Sequence, residues 1–281
     1  NLDKVESEKI RRRRFVSAVP EKGFVEAGIT GKMNALNVAM SMGSPKIVEM
    51  LLDRGSDPNV PDIAGNHPFL YACISNRIEN VKFWLKRFPE WDLEMPNQYV
   101  GGIALGCAVY MGPNRLELTQ LLINSGAKLD TLTHAGTSIL ITATSNEDAD
   151  PEVVNLLLKH HANVNLHLRA TTAWWKVLHF ASKFCVRVLK SQNGLLKSLA
   201  MDSGATALHY AALRGDIEIV ELLLSEGADP SVKNDLGQDA AAMCNSFPEL
   251  RGMLEKRERK VMLRSTKSNL GAVEVLGKRI S

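Results

Sequence analysis

Apolar residues fall along this chain in short blocks at helical spacing, and the blocks return at a near-constant interval. The block Ile219-Val220-Glu221-Leu222-Leu223-Leu224 runs into Gly227-Ala228-Asp229-Pro230. Its ending comes back as Met50-Leu51-Leu52-Asp53-Arg54-Gly55-Ser56-Asp57-Pro58-Asn59 and as Leu121-Leu122-Ile123-Asn124-Ser125-Gly126-Ala127. A further copy reads Leu156-Leu157-Leu158-Lys159-His160-His161-Ala162-Asn163-Val164-Asn165. A unit of about 33 residues that recurs in this way predicts a solenoid, in which each unit buries its apolar face only against its neighbours. Small residues mark the same interval: Ala39, Ala72, Ala108, Ala143, Ala181 and Ala211, with Cys244 in the slot of a degenerate seventh copy. The steps are 33, 36, 35, 38, 30 and 33 residues. A small side chain lets paired helices approach closely, and the leucine triplets fill the space between units.

The stretch Gly204-Ala205-Thr206-Ala207-Leu208-His209-Tyr210-Ala211-Ala212, with the leucine block and Gly227-Ala228-Asp229 behind it, resembles the ankyrin repeat. That family's theme is G-x-T-P-L-H-x-A, a second helix ending in L-L-L, and G-A-D. The resemblance implies an all-α solenoid of stacked helix-turn-helix units with hairpin-like finger turns. It spans residues 31–250 as six repeats and a degenerate seventh, with a basic N-terminal helix or arm at 1–30 and a charged capping helix and tail at 251–281.

The units are not uniform. In repeat two, Phe88-Pro89-Glu90-Trp91-Asp92-Leu93 replaces the glycine turn. Repeats three and four carry extra residues between their helices, at 112–115 and 146–150, with Pro113 and Pro151 placed to start second helices. In repeat five, Val177-Leu178-His179-Phe180-Ala181 predicts a normal core, yet Trp174-Trp175 stands where the turn glycine belongs. Two readings of those tryptophans stand: plugs of a repeat interface, or a binding feature. The second helix of repeat five is shortened and split by Asn193-Gly194, which predicts a bend in the stack.

Composition adds few constraints. With 45 % hydrophobic residues and 23 % charged, the chain supports a continuous core. No apolar run approaches a membrane span. Charge is more informative: residues 1–20 carry net +3 and 251–281 net +6, which leaves −6 between them against +3 overall. Basic ends flank an acidic array, suited to nucleic acid, to acidic lipid or to the acidic surface of a filament or assembly. The run Arg11, Arg12, Arg13 and Arg14 reads either as a solvated helix face or as a nuclear-import signal.

Catalytic constellations are missing from the sequence. There is no G-x-x-x-x-G-K-[ST], G-x-S-x-G or H-E-x-x-H pattern, and no nucleic-acid-reading module. Cys73, Cys107, Cys185 and Cys244 lack metal spacing and read as small apolar residues of a reducing compartment. His179 and His209 follow leucine in the family's histidine slot, where the resemblance implies a backbone-satisfying role. Neither a cofactor nor a metal is expected, and the chain reads as non-enzymatic.

What remains is a recognition surface for a partner protein. Carrying over the family's concave positions gives Ile63, Asn66 and Asn76, then Tyr99, Val100, Tyr110 and Met111. The strip continues through His134 and Asn146 to Lys183, Phe184 and Arg214. The cluster Tyr99, Val100, Tyr110 and Met111 is apolar for such positions and predicts a hot spot. The competing reading tucks Tyr99 and Val100 into the neighbouring repeat. The leading expectation is a scaffold or adaptor in the cytoplasm, with cytoskeletal or nuclear placement left open. Two alternatives stand beside it: a structural subunit of a large assembly held by its basic arms, and a regulatory module of a longer protein.

Overall fold

A computed structural model of the chain describes residues 33–110, 112, 114–146, 148–190, 193, 199–244 and 246–259. The array opens with α1 (Ala35–Met42) and α2 (Pro45–Asp53), α3 (Pro68–Ile74) and α4 (Ile78–Arg87), and α5 (Ala104–Tyr110) and α6 (Arg115–Asn124). Then come α7 (Ile139–Ser145) and α8 (Pro151–Lys159), followed by a longer helix, α9 (Ala173–Arg187). The last elements are α10 (Ala207–Arg214), α11 (Ile217–Ser225), α12 (Ala240–Met243) and a helix at 248–259, α13. The all-α solenoid is thus what the chain forms. Local chemistry sets the helix starts. Asn34, Ser138 and Asp239 each accept from a backbone N–H inside the first turn, at 2.8, 3.2 and 2.8 Å. Pro45, Pro68 and Pro151 occupy the first helical position, where an amide hydrogen would have no partner.

Two rows of helices build the body. First helices stack in the order α1, α3, α5, α7, α10, α12, and second helices include the contacts of α2 with α4, α6 with α8 and α8 with α11. The anchor alanines Ala39, Ala72, Ala108, Ala143 and Ala211 are buried between first helices, as is Cys244. Between the rows lies one continuous core, in which Met40, Val48, Val81, Leu118, Leu122, Leu157 and Leu223 are sealed from solvent. Across repeats, Asn80 caps the end of α1: its Nδ2 donates to the carbonyls of Ala39, Met40 and Gly43 at 3.2, 3.0 and 3.2 Å. At the irregular end of repeat two, Trp91 meets Trp84 edge-on with ring centroids 5.1 Å apart, and Phe88 lies 4.9 Å from Trp84. This aromatic cluster fills the space left without the glycine turn.

Repeat five is a correction to the sequence reading. α10 packs directly on α7 and α11 directly on α8, so α9 lies outside both rows. Ala181 and Phe180 are exposed, and in α9 only His179 and Ser182 are buried. The finger turns show why. In a regular finger the first residue donates to the fifth and accepts from the glycine at the fourth. Asp62, Gly65 and Asn66 do so at 3.1 and 2.9 Å, as do Thr133, Gly136 and Thr137 at 3.1 and 2.9 Å. Leu168, Gly204 and Ala205 close the same pattern at 2.7 and 2.9 Å. Two residues separate Asp62 from Gly65, whereas residues 169–203 separate Leu168 from Gly204. The fifth repeat is an insertion at the tip of one finger. A ladder of side chains along the array passes over it: Glu94 accepts from Lys128 N (2.8 Å), Asp130 from Asn163 N (3.1 Å), and Asn165 from Asp229 N (3.0 Å).

Candidate interaction surface

Fingers are held edge to edge by backbone hydrogen bonds. Gln98 N donates to Gly65 O at 3.1 Å, His134 N to Val100 O at 3.1 Å, Arg169 N to Gly136 O at 3.3 Å, and Asp235 N to Ser203 O at 2.8 Å. The approach is close enough that Gly136, at φ +88°, has no room for a Cβ, which would sit 2.0 Å from the Arg169 carbonyl oxygen. The tips therefore form a fixed row. Ile63 and Tyr99 stand on it 56 % and 62 % exposed, and Val100 is exposed beside them. The reading that tucks Tyr99 and Val100 into a neighbouring repeat does not hold. Their backbone N–H groups donate to Asn97 Oδ1 at 2.8 and 2.9 Å, which sets the turn and turns the side chains outward. His134 is half-buried next to them, with Nδ1 3.1 Å from the Tyr99 carbonyl.

Other predicted contact residues are spent inside the fold. Asn66 is buried and its Oδ1 accepts from Asn97 Nδ2 at 2.6 Å. Asn76 adopts φ +52° with its side-chain atoms buried against Gly112. Asn146 is buried and donates to the Tyr110 carbonyl at 2.6 Å. Arg214 pairs with Asp216 at 2.7 Å with its side chain largely covered. Tyr110 is half-buried. Met111, Arg11, Arg12, Arg13 and Arg14 lie outside the described residues.

Lys183 and Phe184 belong to α9. Lys183 Nζ lies 2.6 Å from Asp235 Oδ2, Arg187 donates to the Asp235 carbonyl, and Ser203 Oγ donates to Asp235 Oδ2 at 2.7 Å. The Lys183 hydrogen bond holds the Asp235 carboxyl below its usual value. His179 Nδ1 sits 3.1 Å from the Leu199 carbonyl, so this imidazole ties the insertion to itself. Pinned on one side, α9 turns its other side to solvent. Trp174 (72 % exposed), Val177 (60 %), Phe180 (68 %) and Phe184 (47 %) line it together with Val188. Trp174 plugs no interface. The residues that sequence reasoning missed are Val177 and Phe180, read there as core. A signal for them existed in the charge pattern: between Glu152 and Asp202 the chain has no acidic residue, while α9 alone carries Lys176, Lys183 and Arg187.

The remaining polar chemistry is structural. His209 Nδ1 accepts from Thr206 N at 3.1 Å, which leaves Nε2–H to donate to the Gln238 carbonyl of the next finger at 3.1 Å. Burial lowers its pKa, favouring the neutral ring that this pair of bonds needs. Burial pushes the Cys73 thiol well up and that of Cys107 to about 12, which removes thiolate reactivity at both. Among the described residues no three His, Cys, Asp or Glu side chains converge as a metal ion requires, and no helix is long and apolar enough to cross a membrane.

Comparison with known proteins agrees with this geometry. Models of ankyrin repeats match residues 36–83 and 140–234. The B-cell lymphoma 3 protein homolog of Mus musculus is 29 % identical over 206 residues, covering 72 % of this chain and 38 % of its own length. Ankyrin repeat and KH domain-containing protein mask-1 of Caenorhabditis elegans is 25 % identical over 241 residues, covering 74 % of this chain and 9 % of its own. The chain thus spans well under half the length of these relatives. The crystal structure of the ankyrin repeat domain of Bcl-3 superposes with a TM-score of 0.58 at 26 % identity, covering 78 % of this chain and 81 % of that one.

Proposed function

Because this chain belongs to the ankyrin-repeat family, whose arrays generally mediate protein–protein interactions, we propose that it is a non-enzymatic scaffold or adaptor that binds a partner protein along its finger row and the adjoining inner-helix ends. The observation that carries this reading is the exposed pair Tyr99 and Val100, with Ile63 on the preceding tip and His134 on the following one. Large apolar side chains held on a rigid row lose little entropy on contact, and aromatic residues supply most of the energy where protein surfaces meet.

Capture of partners by the full chain from its native source tests this. Tyr99→Ala together with Val100→Ala should weaken the dominant complex at least about tenfold. Both side chains are exposed, so stability should stay within about 0.5 kcal/mol. Complexes that survive the double substitution unchanged would remove the finger row from consideration. A second reading makes the chain a structural subunit of a large assembly held by its basic ends. Exposed Arg251, Lys256, Arg257 and Arg259 on α13 favour it. There, reversing those charges would abolish the complex while the finger substitutions would not.

A further inference from the structure

The outward side of α9 is the feature that partner binding through the finger row leaves unexplained. An isolated amphipathic helix buries its apolar stripe and shows its polar one. α9 is apolar on both sides. His179 and Ser182 are buried and Trp175, Leu178, Cys185 and Val186 half-buried on one side, while Ala173, Trp174, Val177, Phe180, Ala181, Phe184 and Val188 are exposed on the other. At 100° per residue these positions cover a sector about 120° wide without one polar side chain. Lys176 and Arg187 flank the sector along one edge, next to Phe180. The contacts of Lys183 and Arg187 with Asp235 fix the helix against the last finger, so the apolar side cannot roll inward.

Charge narrows the occupant. Every charged residue between Glu152 and Asp202 is basic, in a chain whose residues 21–250 are acidic overall. A second copy of α9 would bring like charge against like. A surface that is both anionic and able to accept a broad apolar sector fits better. Helices with Trp and Phe on one side and Lys or Arg beside them lie in the plane of a bilayer, apolar side down, with cations among the headgroups. Tryptophan in particular settles at that boundary.

We propose that the outward side of α9 docks on an anionic lipid bilayer, with Trp174, Val177, Phe180 and Phe184 entering the boundary between headgroups and acyl chains. Exposed Lys176 lies at headgroup depth and makes the binding depend on acidic lipid and fall with salt. The membrane is touched, not spanned. This inference does not depend on partner binding at the finger row.

The test mixes the full chain with sedimenting vesicles of phosphatidylcholine containing about 30 % phosphatidylserine, and with vesicles of phosphatidylcholine alone, at low salt. The expected result is binding to the acidic vesicles that drops at least about tenfold in Phe180→Asp/Phe184→Asp. Because the terminal segments are basic, a second readout is needed. Brominated lipid should quench the emission of Trp174, and Trp174→Phe should remove most of the quenched signal. Circular dichroism of the double variant, whose changes are both at exposed positions, checks that the array is intact. Binding that persists in the double variant with no quenching would overturn the proposal and assign attachment to the basic ends. Failure of the parent chain to bind acidic vesicles, or equal binding to neutral ones, would overturn it as well. Self-association of the parent chain that the double variant abolishes, with no vesicle binding, would make the face a protein contact instead.

Discussion

Asp202 shows how one side chain ties local chemistry to stability. It sits half-buried under α10, accepting from the Tyr210 hydroxyl at 2.8 Å, and burial pushes its carboxyl up to about 6. In the unfolded chain the same group titrates near 3.8. Between those values the native chain binds the extra proton, so stability falls as pH rises through that window. Asp202→Asn keeps an oxygen for Tyr210 and removes the charge. It should raise stability at pH 7 by about 1 kcal/mol and flatten the pH dependence between pH 4 and 6, as followed by urea unfolding. The residue scale is also where sequence reading was weakest. Asn66, Asn76 and Asn146 are polar residues at concave positions, and residue type alone suggests groove contacts. Their amides are instead enclosed within the fold, which depends on neighbours from other repeats. Ile63, Tyr99 and Val100 were legible because a glycine-flanked turn leaves large side chains nowhere to go but out.

Helices test the altered repeat order. Ala211 is sealed where α10 meets α7, whereas Ala181 is exposed on α9. Ala211→Leu should overpack that interface and cost about 1–3 kcal/mol, read as a shift in the urea midpoint. Ala181→Leu should change stability by less than about 0.5 kcal/mol. Equal losses at both positions would restore α9 to the stack. The regular units were plain in the sequence because a buried alanine and a leucine triplet recur at fixed offsets and do the same packing each time. The insertion was not, because it carries V-L-H-F-A at nearly one repeat length from its neighbours and so imitates the period. Only the finger hydrogen bonds, joining Leu168 to Gly204 and Ala205, separate the two cases.

For the molecule as a whole, the finger closes without residues 169–203, since the ends of that segment meet in one turn, although Met201 and Asp202 within it bond Asn234 and Tyr210 of the array. Closing a loop of this size costs roughly 2–3 kcal/mol more than closing a two-residue turn. The ion pair and hydrogen bonds of α9 to Asp235, and the His179 bond to Leu199, offset part of that. Replacing 169–203 by a two-residue turn should therefore give a cooperatively unfolding chain within about 2 kcal/mol of the parent, measured by thermal and urea transitions. Such a chain should also keep any partner bound at the finger row. The same closure governs how the chain assembles in time. In a solenoid, structure spreads from unit to adjacent unit through short-range contacts, and that is what makes such chains quick to fold. Here the spread from the N-terminal side must stop at Leu168 until a distant Gly204 arrives. The junction between α7–α8 and α10–α11 should therefore form late and part early: Ala211→Leu should speed unfolding far more than it slows folding, as read from the two arms of a urea chevron.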